Sequence, residues 1–241
     1  MKVVIGPGSG AGALWAVGQR VGLDEHEAHH LKVRRARDGE TVEVLDGAGF
    51  TGTGILVQSG RGWLVEVRNA EMQLPPAPLT LAVAMGDRDR FSWMVEKSVE
   101  LGVTRIVPLQ SERTAGVATR LKDVHLDRLR RSAMDAIKQC GAAWVPAIDA
   151  PRTFAAFARE PVSGTAWLAD ECGAPAPSSL NEGAVSVIIG PEGGLTSTER
   201  ETVVGAGYQL VSLGLHTLRF ETAAVAAAAA VTQARMRSAR G

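Results

Sequence analysis

Two short segments near the end of the chain carry residue types and spacings that suit chemistry. The first, Gly190-Pro191-Glu192-Gly193-Gly194-Leu195, closes the apolar run Val185–Ile189. Glycine lets a backbone approach a ligand closely and adopt positive φ. Proline fixes the turn, and a helix starting just after it presents free N–H groups. The second segment, residues 213–223, reads Leu-Gly-Leu-His-Thr-Leu-Arg-Phe-Glu-Thr-Ala and opens a long alanine-rich helix. Each reads as strand, tight loop, then helix. Two such loops at the carboxyl ends of adjacent parallel strands make a pocket walled by backbone amides, where ligands sit in open α/β sheets. That pocket suits a nucleotide-like cofactor rather than a metal. Taken alone, Gly193-Gly194 also fits a plain strand-to-helix turn. The pattern is not G-x-G-x-x-G and lacks the Walker lysine, so dinucleotide and P-loop readings are weak.

The elements that must position these loops follow from periodicity. Residues 1–73 are β-rich: Thr41–Leu45 alternates, Asp46-Gly47 signals a turn, and 50–57 and 63–67 follow as strands. Short strands with tight turns suggest a small barrel. Leu74-Pro75-Pro76-Ala77-Pro78 then breaks all periodicity, and a domain boundary is placed there. Strands expected at Leu79–Ala84, 104–109, 165–169, Val185–Ile189 and 209–213 alternate with helices at 88–101, 125–139, 197–206 and 221–237. Thr196-x-x-Glu199 is a capping box, and 174–179 (Ala-Pro-Ala-Pro-Ser-Ser) reads as a short loop. This alternation argues a mostly parallel sheet covered on both faces.

Bulk properties restrict the class. The chain has 241 residues, enough for one large domain or two modest ones; 45% are hydrophobic and 22% charged, and the formal net charge is zero. Cys140 and Cys172 form no C-x-x-C or zinc spacing, which points to a reduced, cytoplasmic protein. Met1–Ile5 followed by Gly6-Pro7 holds no signal-peptide core, and the apolar run at 223–231 is too short to span a bilayer. His26-x-x-His29-His30 looks like a metal cluster, but in an extended strand entry those side chains do not converge, so no metal is expected. His125 and His216 read as surface or packing positions. Glu96, Lys97 and Glu100 read as a solvated helix face. Basic residues gather at Lys32, Arg34, Arg35 and Arg37. A second group, Arg120, Lys122, Arg128, Arg130, Arg131 and Lys138, is set against Asp123, Asp127 and Asp135. These form either a salt-laced surface or a phosphate-tracking patch.

Leu213-Gly214 followed by Leu218-Arg219-x-Glu221-Thr222-Ala223, together with the first loop, resembles the SPOUT class of methyltransferases. The chain is most similar to the family that methylates the N3 atom of a uridine in 16S ribosomal RNA (uridine 1498 in the usual RNA numbering). The resemblance runs over nearly the whole chain. Glu27-Ala28-His29-His30-Leu31, then Val33, Arg35, Gly39 and Asp46-Gly47-x-Gly49, is similar to that family's PUA-like barrel. Asp87-Arg88 and 95–103 look like its first methyltransferase helix. Ile106-x-Pro108-Leu109-x-Ser111-Glu112-Arg113, and Gln139-Cys140-Gly141 with Val145-Pro146, match later blocks. The chain departs from the family at Lys138 and Ala142, where glutamate and arginine are usual, and at the N-terminus, which lacks the usual arginine beside aromatic residues. It departs also at Phe220, where threonine is common.

The resemblance implies an α/β fold: a SPOUT-type knotted parallel-sheet methyltransferase domain at 74–241, preceded by a small PUA-like β-barrel at 1–73 that binds RNA. S-adenosyl-L-methionine would sit bent in the trefoil knot. Its contacts would be Leu168 and Ala169, then Ile189, Gly190, Pro191, Glu192, Gly193 and Gly194, then Leu213, Gly214, Leu218, Thr222 and Ala223. RNA contacts are implied for Lys32, Arg34, Arg35, Arg37, Arg88 and Arg113. A homodimer acting on 16S rRNA in the 30S subunit is implied, with neither metal nor membrane. Uracil N3 carries a proton at neutral pH, so transfer needs an unpaired base, in-line alignment and loss of that proton. Arg219 is the candidate to hold a phosphate or stabilise charge on the uracil oxygens. Glu221 is the candidate to orient Arg219 or accept the proton; a helix-terminal charge explains it equally. The alternatives are a related SPOUT enzyme acting on another rRNA or tRNA site, base or ribose 2′-hydroxyl, and a non-catalytic RNA-binding protein.

Overall fold

The computed structural model describes residues 1–5, 15–60, 62–114 and 123–239. Expectations resting on Gly6, Pro7, Arg120 and Lys122 lie outside them. The chain forms two compact units that are discontinuous in sequence: Met1–Pro76 with Met134–Val145, and Ala77–Ala133 with Pro146–Gly241.

The first unit is built on a five-stranded sheet of order β1-β3-β4-β5-β2. Its strands are β1 (Lys2–Val4), β2 (Arg20–Gly22), β3 (Thr41–Leu45), β4 (Phe50–Ser59) and β5 (Gly62–Met72). β1 runs parallel to β3, and the other pairs are antiparallel. Val42 and Val44 point inward while Thr41 and Glu43 face solvent, the period of two expected for a sheet with one buried face. Val3, Ile5, Leu31, Val44, Phe50 and Leu56 make the core.

Helix α1 (Glu25–Val33) corrects the extended backbone expected around the histidines. Asp24 caps it by accepting from the Glu27 amide at 2.8 Å, and Glu25 and Glu27 complement the helix dipole in the first turn. His26 and His30, four residues apart, therefore share a face. Glu27 is buried. Its carboxylate accepts from the Val4 amide at 3.4 Å and pairs with Lys138.

The second unit carries a seven-stranded parallel sheet of order β12-β10-β11-β6-β7-β8, with β9 also on β7. The strands are β6 (Leu79–Ala84), β7 (Arg105–Gln110), β8 (Ala147–Ile148), β9 (Arg152–Thr153), β10 (Thr165–Pro175), β11 (Val185–Ile189) and β12 (Gln209–Ser212). The helices are α2 (Arg88–Glu100), α4 (Phe154–Ala158), α5 (Ser197–Gly205) and α6 (Phe220–Ser238), while α3 (Asp123–Cys140) crosses from this unit into the first. β6 is central and almost entirely buried, hence its unbroken apolar reading. Ala224, Ala227, Ala228 and Val231 are fully buried along one side of α6, and their small side chains let that helix lie close against β6 and β11. Lys97 bonds Glu96 at 2.9 Å and Glu100 at 2.8 Å, the solvated face expected there, and both carboxylates raise the lysine's pKa. β8, β9 and α4 are too short to show a periodicity of their own, and β10 runs six residues beyond its expected end.

Candidate active site

The site lies where β12, β10 and β11 end side by side. Ile189 is the last residue of β11, and the first glycine loop follows directly. Its turn is closed by the Gly194 amide donating to the Pro191 carbonyl at 2.8 Å. Gly194 has φ 72°, a left-handed conformation that favours glycine. Thr196 then caps α5 in a reciprocal box with Glu199, as its spacing predicts. Glu199 is buried and also accepts from the Glu112 amide at 2.9 Å, which fixes the 3-10 turn Glu112–Thr114 beside the loop. Arg113, in that turn, donates to the Gly193 carbonyl and to the Gly194 carbonyl at 3.4 Å. The residue expected to meet RNA is thus also a clamp on the first loop.

The middle wall is an excursion of β10. Ala169 and Ala174 both register against Val211, so residues 170–173 loop out of the sheet. Gly173 permits this: a Cβ there would stand 2.4 Å from the Val211 backbone nitrogen. Asp170 accepts from the Cys172 amide at 2.9 Å and from Arg200 Nε at 2.9 Å. Burial pushes the Asp170 carboxyl up, but the Arg200 guanidinium and the Cys172 amide outweigh it and hold the group below its ordinary 3.8. The same bond raises the Arg200 pKa. The third wall is the loop after β12. Ser212 Oγ donates to the Gly214 carbonyl at 3.1 Å, and Thr217 Oγ1 donates to Glu171 Oε2 at 2.9 Å, tying this loop to the excursion.

The three walls enclose a cavity of about 680 Å³, within the usual range for small-molecule sites. Leu168, Ala169, Ile189, Gly190, Pro191, Glu192, Gly193, Gly194, Leu213, Gly214, Leu218 and Ala223 line it, as expected. Thr222, exposed on the first turn of α6, is not among its walls. His216 and Thr217, inside the expected 213–223 loop, line it too, and so do Asp170, Glu171 and Arg200, to which no motif in the sequence points. The polar break Asp170-Glu171 directly after the buried Ala166–Leu168 run was the available signal.

A second cavity of about 810 Å³ shares Pro191, Glu192, Gly193 and Phe220 with the first. Its far side is the start of α2, with Arg88, together with Arg113, His125 and Arg128. The expected RNA contacts Arg88 and Arg113 therefore meet at one opening. Lys32, Arg34, Arg35 and Arg37 are exposed at and beyond the end of α1, in the first unit. Lys138, counted with the basic patch, is instead largely buried and committed to Glu27.

Arg219 occupies the N-cap position of α6, exposed and without a side-chain cap bond. Glu221 is buried in the first turn of α6. Its Oε1 lies 3.9 Å from Arg90 Nη1, which also reaches Glu192 Oε1 at 3.4 Å. Arg90, not Arg219, is thus the cation facing Glu221, and it links that carboxylate to the first loop. The other oxygen of Glu221 is buried with no partner among the described residues.

Residues 73–232 match the family model for an RNA methyltransferase domain, and residues 23–62 match that for an RNA methyltransferase PUA domain. The chain is 33% identical over 223 residues to ribosomal RNA small subunit methyltransferase E of Synechocystis, covering 88% of this chain and 72% of that protein. A crystal structure of the Neisseria gonorrhoeae protein of that name, bound to S-adenosyl methionine, superposes with a TM-score of 0.77 at 31% identity, covering 90% of this chain and 92% of that one. A methyltransferase structure from Legionella pneumophila, in complex with the cofactor SAM, gives a TM-score of 0.77 at 25% identity over 95% of this chain and 96% of that one. Parallel sheet, glycine-loop cavity and PUA-like unit together define an RNA methyltransferase. Within that class, the chain belongs to the ribosomal RNA small subunit methyltransferase E family.

Proposed function

We propose that this chain transfers a methyl group from S-adenosylmethionine to N3 of a uridine in 16S ribosomal RNA, uridine 1498, in the 30S subunit. The observation that carries the reading is the convergence of 168–172, 189–195 and 212–218 on one cavity at the ends of three neighbouring parallel strands. The walls suit this cofactor: backbone amides and carbonyls of the two loops can read an adenine edge, the apolar Leu168, Leu213 and Leu218 can flank its faces, and Asp170 and Glu171 supply anionic groups. When bound, S-adenosylmethionine supplies an electrophilic methyl group.

The protein's own residues supply position and charge. Arg113 fixes the first loop through its carbonyls. Arg88 and Arg113 hold RNA phosphate at the second cavity, and Lys32, Arg34, Arg35 and Arg37 track the backbone from the PUA-like unit. Arg219, exposed where α6 begins, stabilises negative charge on the uracil oxygens once the N3 proton has passed to solvent, and methyl transfer then leaves the cofactor as its thioether. Glu221 acts through Arg90 and the first loop, as a positioning residue. Residues 1–73 serve as the RNA-binding domain and 74–241 as the knotted catalytic domain. Support for the knot comes from β12 lying outside β10, with the loop after it bonded to the β10 excursion before α6 turns back under β6 and β11. The working form is a cytoplasmic homodimer.

N3 methylation blocks pairing and halts reverse transcriptase. Deleting the gene is expected to abolish one strong primer-extension stop in 16S RNA, and restoring it is expected to return the stop. An unchanged stop overturns the assignment.

A further inference from the structure

Helix α1 creates an arrangement that an extended chain does not. It brings His26 and His30 edge to face, ring centroids 4.5 Å apart at 83°. Asp135, on the part of α3 that packs in the same unit, completes a trio whose ligand atoms all lie within 4.8 Å of one another. We propose that His26, His30 and Asp135 bind a divalent transition-metal ion of the imidazole-preferring class, such as Ni(II) or Zn(II).

The chemistry matches that class. Two neutral imidazoles and one carboxylate form the donor set that such ions select over Mg(II) or Ca(II), which favour all-oxygen sites. Ligand atoms around a tetrahedral ion stand about 3.4 Å apart when each bond is about 2.1 Å. The trio therefore needs closure of at most about 1.4 Å. All three side chains are exposed, so rotation about their own torsions suffices and water fills the remaining positions. The two histidines are one helical turn apart on a backbone already fixed by the Asp24 cap, so little order is lost on binding.

Lys138 is the cation that a metal must tolerate there, with Nζ 3.5 Å from Asp135 Oδ1. Its principal partner is the buried Glu27, which neutralises it and draws it toward the core. Asp135 thus keeps an oxygen free for the metal. The ion would cross-link α1 to the Met134–Val145 segment and stabilise the packing of the first unit, because a ligand bound only to the folded state adds to its stability.

The test is calorimetric titration of the full chain with Ni(II), paired with thermal melts. Wild type is expected to bind a single equivalent and to melt at higher temperature with the ion. His26→Ala and His30→Ala should each weaken binding more than about tenfold and lose the metal-dependent rise, while melting like wild type without metal. Asp135→Asn should weaken binding less. Cys140→Ser should leave it unchanged. Absence of binding overturns the proposal. So does affinity that survives His30→Ala or disappears with Cys140→Ser, since the ion would then sit elsewhere.

Discussion

Gly86 lies directly beneath the ring of Phe220: a Cβ at position 86 would stand 2.4 Å from Phe220 Cε1 and 3.0 Å from Cζ. The ring also stacks on Phe91 with centroids 6.2 Å apart, and it borders both cavities. A glycine after β6 and an aromatic at the start of α6 are therefore one packing unit. It explains how the chain accommodates a phenylalanine at position 220.

Phe220→Ala is expected to cost about 3–5 kcal/mol in urea unfolding, because a buried ring leaves a cavity. Gly86→Ala should destabilise the wild type yet cost little in the Phe220→Ala background, where the ring it strikes is gone. Equal costs in both backgrounds would separate the two residues energetically.

The buried pair Glu27–Lys138 supports a second expectation. Replacing Lys138 by Met leaves the Glu27 carboxylate buried without its cation and should cost about 3 kcal/mol. Adding Glu27→Gln should recover much of that loss. A double-mutant cycle by chemical denaturation checks this, and purely additive costs would contradict the pairing.

Asp170 makes the catalytic unit sensitive to acid. A carboxyl held below its ordinary 3.8 in the folded protein adds stability above that value, and the contribution disappears as pH falls through the lowered folded value. Unfolding free energy measured from pH 5 downward should fall more steeply in wild type than in Asp170→Asn. Because Arg200 is partly exposed, the difference is expected to be small and to shrink with added salt.

Gly194→Trp should abolish S-adenosylmethionine binding in calorimetry while the protein still melts cooperatively. The bulk enters the first loop at a residue whose φ of 72° suits only glycine well. Gly194→Ala, which adds backbone strain of about 1–2 kcal/mol and little volume, should bind more weakly than wild type. Unchanged affinity in the Trp variant would remove this loop from the cofactor site.

What was readable in the chain was local. Period-two alternation in Thr41–Leu45, the unbroken apolar run of Leu79–Ala84 and the Thr196/Glu199 box each specify their own element, and both glycine loops fall where strand ends place them. What escaped depends on distant partners. α1 is rich in histidine, a middling helix former, and is decided by its Asp24 cap. The β10 excursion depends on Gly173 meeting the backbone of β12. Arg90 carries no local signal, because Glu192, its partner, is 102 residues away. The approach of Arg90 to Glu221 depends on α6 packing beside α2, which sequence spacing does not express.

The inclusion of Met134–Val145 in the first unit has a consequence for synthesis. The ribosome delivers residue 76 roughly 70 residues before residue 145, a delay of several seconds at about 10 residues per second. During that interval Glu27 has no Lys138, and Asp46-Gly47-Ala48 lacks the segment that bridges to it at Trp144. The N-terminal sheet thus emerges as an incomplete body and waits for a strap from the middle of the chain. A fragment ending at Pro76 reproduces that waiting state, and supplying residues 134–145 as a separate peptide is the natural way to end it.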